Sequence, residues 1–172
     1  VRYRALVLLA GFNDPRARLA LAYLTDQAEE AVDSLRAAVD SYRKLGDRRK
    51  EGATLIQVSH ILWCPGRGKE ARRVGLEAVK LLEQLEPGPE LASAYDNLAF
   101  LHRMNADLDA AREWSDRALA VAVEVGDAGT LAWVSGGAAL LDVTSGLSGG
   151  VEEIERRIDR LLYALDVVRM QR

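Results

Sequence analysis

The sequence has a single cysteine, Cys64, among 172 residues. No internal disulfide can form, and a lone thiol fits a reducing compartment, so a cytoplasmic location is expected. There are only 4 prolines, and aromatic residues make up 6%. β-Branched residues are also sparse, which disfavours sheet and leaves helix as the expected structure. No apolar run approaches the ~18 residues that span a bilayer, so no membrane partner is expected. Charge of one sign is not in excess. A net charge of −3 is too small to steer the chain to nucleic acid or anionic lipid. The apolar start, Val1 to Leu9, is short, lacks a small-residue cleavage site and does not read as a signal peptide.

What is present is ordinary globular material rich in Ala, Leu, Arg and Glu: 49% hydrophobic and 28% charged residues, enough to bury one core. A 40-residue offset aligns the chain with itself without gaps. Ala31, Ala71 and Ala111 coincide, as do Ala38, Ala78 and Ala118. Val39, Val79 and Leu119 follow, then Leu45, Leu85 and Val125. Leu45-Gly46-Asp47 recurs in form as Val125-Gly126-Asp127, and the middle copy has Glu86-Pro87-Gly88-Pro89, another helix terminator.

Each period reads as two helices. In the third copy Leu91, Ala94, Tyr95, Leu98 and Leu101 make one apolar face. Asn105-Ala106-Asp107 is a polar break, and Leu108, Ala111, Trp114, Ala118, Leu119, Ala122 and Val125 make a second face. The alanines seven apart allow close helix approach. The predicted pairs are 16–25 with 28–45, 51–64 with 68–85, 91–104 with 108–125, and 131–143 with 151–170. The expected fold is all-α, a right-handed superhelical array of antiparallel helix pairs in one domain over 1–172. Residues 1–10 align with the end of a preceding helix, 15–50, 51–90 and 91–130 are repeats, and 131–172 is an irregular fourth repeat or cap.

The third copy resembles the tetratricopeptide repeat. Tyr95-x-x-Leu98-Ala99 stands at that family's Trp-x-x-Leu-Gly, Asp107-Leu108 at its Asp-Tyr, and Ala111 and Ala118 at its two small positions. His102 and Ser115 depart from its aromatic positions, the closing Pro is missing, and the period of 40 exceeds 34. The longer form looks like the repeats of large LuxR-type regulators with an ATPase core, including the MalT-like ones. Tyr23-Leu24-Thr25-Asp26-Gln27, Leu62-Trp63-Cys64-Pro65-Gly66-Arg67 and the stretch from Pro89 to Ala99 carry that likeness.

No motif supports catalysis, and no cofactor or metal is expected. Pro65-Gly66-Arg67-Gly68-Lys69 suggests a phosphate loop, but Trp63 stands where the first Gly is needed and Glu70 where Ser or Thr is needed. It reads as a repeat turn. His60, Cys64 and His102 offer a three-ligand cluster, or a Cys-His nucleophile that would need an orienting third group, but they read as packing or groove residues. Basic residues Arg43, Lys44, Arg48, Arg49 and Lys50, and Arg67, Lys69, Arg72 and Arg73, read as solvated helix ends, or as a docking site for an acidic partner. No helix-turn-helix is present, so no direct nucleic-acid binding is expected.

The resemblance implies a concave groove lined by the first helix of each pair. Its ligand-facing positions fall on Ala92, Asp96, Phe100, Arg103 and Met104 in the third copy, and on Gly52, Ile56, His60, Trp63 and Cys64 in the second. Tyr23 and Leu24 match in the first, and Gly136, Leu140 and Val143 in the fourth. Ile56, His60, Trp63, Asp96, Phe100, Arg103 and Met104 are the candidate groove set, although Trp63 and Phe100 can also be read as packing residues. An apolar, aromatic groove with a few polar groups suits a protein or peptide, or a small effector. Two readings stand: an interaction module of a bacterial signalling or transcriptional regulator, or the effector sensor of a LuxR/MalT-like ATPase. A homo-oligomer is compatible with both.

Overall fold

The computed structural model describes residues 15–63, 66–144, 155–156 and 158–159. Side chains are described from Gln27 to Asp142 except at 64 and 65, and at Glu155, Arg156, Ile158 and Asp159. Among the described residues are six helices and no strand. They are α1 (Pro15–Leu45), α2 (Arg48–Trp63), α3 (Gly68–Leu82), α4 (Pro89–Met104), α5 (Leu108–Val125) and α6 (Ala128–Thr144).

The Gly-Asp pairs explain where helices stop and start. Gly46 and Gly126 adopt left-handed φ of 72° and 71°, which ends α1 and α5 with little steric cost. The next residue caps the following helix. Asp47 accepts from the Lys50 amide at 3.1 Å, and Asp127 accepts from the Thr130 amide at 2.7 Å. Because the cap directly follows the glycine, α2 and α6 begin three residues earlier than the 51 and 131 predicted from hydrophobic spacing.

The chain divides into two compact units with the boundary between Ala78 and Val79, inside α3. In the first unit α1 packs on α2. Ser59 Oγ of α2 donates to the Ala71 carbonyl of α3 at 2.8 Å, a bond in the core where both residues are fully buried. Arg36 of α1 pairs with Glu70 of α3 at 2.6 Å, and Arg67 reaches back to Glu29 at 2.7 Å. Arg43 pairs with the buried Glu51 at 2.8 Å, which gives that carboxylate the partner its burial requires.

One expected boundary is absent. The backbone is helical without interruption from Pro15 to Leu45, so the predicted helices 16–25 and 28–45 are one helix. Thr25-Asp26 supplies no glycine or proline, whereas the corresponding break in the next repeat has Gly66 at φ 78°. A polar dipeptide alone does not end a helix.

In the second unit α4 packs on α5, α5 on α6, and α4 also reaches α6. The three-residue turn 105–107 makes α4 and α5 antiparallel. His102 Nδ1 meets Asp107 Oδ2 at 2.9 Å across it. The small residues lie where close approach needs them: Ala71, Ala78, Ala111 and Ala118 are each 0% exposed. Ala31 and Ala38, their counterparts in the first copy, are only half-buried. At the far end of α6, Asp142 is buried and is met by Arg112 of α5 at 3.2 Å, which fixes the two helices to each other. The predicted helix 151–170 lies outside the described residues, except that 155–156 and 158–159 are helical.

Candidate functional site

The candidate groove residues fall in both units. Ile56, His60 and Trp63 stand on α2 of the first unit, each half-buried. Cys64, and the side chains of Tyr23, Leu24 and Val143, lie outside the described residues. Asp96, Phe100, Arg103 and Met104 stand on α4 of the second unit, also half-buried. Within that unit the structure joins the α4 stripe to α6. The Trp133 indole N–H donates to Asp96 Oδ2 at 3.1 Å. Gly137 lies against the same carboxyl, and a Cβ there would overlap it. Arg103 sits over the Phe100 ring at 5.6 Å.

Burial pushes the Asp96 carboxyl up to about 6, against the opposing pull of the Trp133 hydrogen bond and the charge of Arg103. Burial likewise lowers the Arg103 guanidinium, while Asp96 acts to raise it. The two charges influence each other, but no ion pair joins them among the described residues. Trp133, which meets this carboxyl, is 67% exposed, and Leu140, further along α6, is 45% exposed. The positions 133, 137 and 140 follow helical spacing, so they share a stripe. Gly136, expected in the groove, is exposed beside them, and a Cβ there would meet only open space.

Trp133 is absent from the sequence-derived set because the register in the second and third copies starts on Gly52 and Ala92. Ala92 and Gly52, assigned to the groove, are buried, which removes them from it. The half-buried Ser93 and Ala53 are the outward positions, and Trp133 is 40 residues beyond Ser93. The spacing 93, 96, 100, 103 was available as a signal, since it keeps one helical face while 92 rotates onto the core.

The other suggested chemistry resolves into structure. Gly66 and Arg67 donate their amides to the carbonyls of Trp63 and Leu62, closing the end of α2. Those amides are spent, and the Arg67 side chain is engaged by Glu29 and Glu70. No group of three His, Cys, Asp or Glu able to hold a metal is found among the described residues. Among those residues no helix is long and apolar enough to cross a membrane.

A second aromatic cluster lies in this unit. The Arg117 guanidinium sits over the rings of Tyr95 at 4.4 Å and Trp114 at 4.5 Å, and bonds Glu83 at 2.9 Å. The Tyr95 hydroxyl donates to the same Glu83 carboxylate at 2.8 Å. This cluster is complete in itself and holds the residue after α3 to α4 and α5.

Comparison with known proteins agrees with the helical fold. Residues 91–125, which span α4 and α5, match the tetratricopeptide repeat family. A crystal structure of BtubC (BKLC) from P. vanneervenii is similar over 95% of this chain and 72% of that chain, at 22% identity and a TM-score of 0.63. Likeness at that identity carries the fold alone. No curated protein matches the sequence. Tetratricopeptide repeats are in general non-catalytic units of protein interaction. The match is confined to residues 91–125, within an all-helical repeat fold among the described residues.

Proposed function

We propose that this chain is a non-catalytic protein- or peptide-binding module, and that in its second unit the partner lies along the face shared by α4 and α6. The supporting observation is that the exposed Trp133 of α6 bonds Asp96 of α4, with Leu140 exposed on the same stripe of α6. An open face with large apolar side chains and few charges suits a peptide or helix better than a small effector, which needs enclosure on most sides. Ile56, His60 and Trp63 on α2 are a separate proposed contact set within the first unit. The regulator context belongs to this proposal too. It rests on the stretches around Tyr23, Leu62 and Pro89, and it makes the chain the part of a LuxR-type ATPase regulator that receives a protein signal in the cytoplasm.

The test is selection of peptides from a random displayed library against the whole chain, followed by affinity measurement with variants. Trp133→Ala and Phe100→Ala should each weaken the selected peptides by about 2 kcal/mol, the scale of an aromatic anchor. Peptides that bind both variants as well as the parent would overturn the assignment of this face.

A further inference from the structure

Among the described residues, carboxylates withdrawn from water are met by arginine. Glu51 has Arg43 at 2.8 Å, and Asp142 has Arg112 at 3.2 Å. Asp96 is the exception. Its hydrogen bond is to the neutral Trp133 indole, and no ion pair reaches it among the described residues. Arg103, the cation nearest in influence, lies over Phe100 and acts on Asp96 only through space. The carboxyl is therefore set into the face, in a notch that exists because residue 137 has no Cβ, with its charge uncompensated at close range.

The same unit shows what completes such a constellation. Around Glu83, a carboxylate, the aromatic rings of Tyr95 and Trp114 and the Arg117 guanidinium come together, the cation stacked on the rings and paired with the acid. Asp96 and Trp133 reproduce the acid and the ring, with the ring largely exposed. The guanidinium is what this second arrangement lacks.

We propose that the Asp96–Trp133 notch receives a cationic side chain, an arginine or lysine, from the bound protein partner. The cation pairs with the carboxylate and lies on the indole face. Both contacts strengthen as the partner excludes water. Burial pushes the carboxyl up to about 6, and a cation entering the notch would pull it back down. The inference rests on reading the α4/α6 face as the partner surface, and it adds the chemistry of the partner residue that enters there.

The probe is N-acetylarginine amide, with N-acetylcitrulline amide as its neutral isostere, titrated into the full chain. The readout is the Trp133 indole N–H resonance, identified by its loss in Trp133→Phe. The arginine compound should shift that resonance saturably, and the citrulline compound should not. Asp96→Asn, which keeps an acceptor for the indole, should weaken the response about tenfold or more, as when a hydrogen bond to a charged group is lost. An equal response to citrulline, an unchanged response in Asp96→Asn, or no response to arginine would each overturn the proposal. The outcome is separable from that of the face itself. Selected peptides that depend on Trp133 while the arginine compound has no effect would remove the cation alone. Peptides indifferent to Trp133→Ala and Phe100→Ala would remove the face.

Discussion

The Trp133 indole donates to Asp96 Oδ2 at 3.1 Å, and this bond connects the first helix of one repeat to the first helix of the next. It holds a carboxyl whose acidity is weakened by burial, up to about 6 from an ordinary 3.8. The native state therefore keeps this proton at pH values where the unfolded chain has released it. Stability contributed by Asp96 is greatest below about pH 4 and declines as pH rises through about 6. A difference of that size bounds the effect at about 3 kcal/mol, and solvent reaching the part-exposed carboxyl reduces it. Asp96→Asn should therefore stabilise the protein at pH 7 relative to pH 4. Urea denaturation of both proteins at the two pH values checks this. A stability difference that stays constant, or grows toward pH 4, would contradict it.

Two adjacent glycines of α6 should respond oppositely to alanine. Gly136 faces open space, so Gly136→Ala gains helix propensity and should stabilise by about 0.5–1 kcal/mol. Gly137→Ala would place a Cβ against the Asp96 carboxyl. It should lose that gain and shift the Trp133 indole resonance, because the carboxyl must move. Equal stabilisation by both substitutions, with the indole resonance unmoved, would mean that the notch does not depend on residue 137.

The repeat register predicts a stabilising change in a turn. Ala106 has a left-handed φ of 58°, and Gly66, 40 residues earlier, has 78°. An L-residue is strained there by about 1–2 kcal/mol, and glycine is not. Ala106→Gly should raise stability by about 0.5–1 kcal/mol after the entropic cost of glycine. Thermal unfolding showing a lower midpoint would contradict the turn geometry.

Ala111 is 0% exposed where α5 meets its neighbours. Ala111→Leu should overpack the crossing and cost roughly 1–3 kcal/mol. Denaturation curves identical to the parent would place this residue away from a helix crossing.

Much of the fold was legible because spacing and turn chemistry agreed. The alanines at 71, 78, 111 and 118 identified the close crossings, and Gly46-Asp47 and Gly126-Asp127 marked a stop and a start in two residues. Legibility failed where a polar pair was taken for a break. Thr25-Asp26 has no residue that favours a left-handed or proline-fixed backbone, so α1 continues through it. In the candidate site, Asp96, Phe100 and Arg103 were legible from register. Trp133 was not, because the family register starts on Ala92 and the outward position is Ser93. The need for Gly137 was also invisible, since it arises from a carboxyl on another helix, 41 positions away in sequence.

The central claim is that the face shared by α4 and α6 binds a protein partner, and the most direct measurement is the affinity of library-selected peptides for the Phe100→Ala/Trp133→Ala double variant. The account predicts a loss of about 30-fold or more, the equivalent of at least one aromatic anchor, with the unfolding midpoint little changed because both side chains are part-exposed. Unchanged affinity in a folded double variant would contradict it.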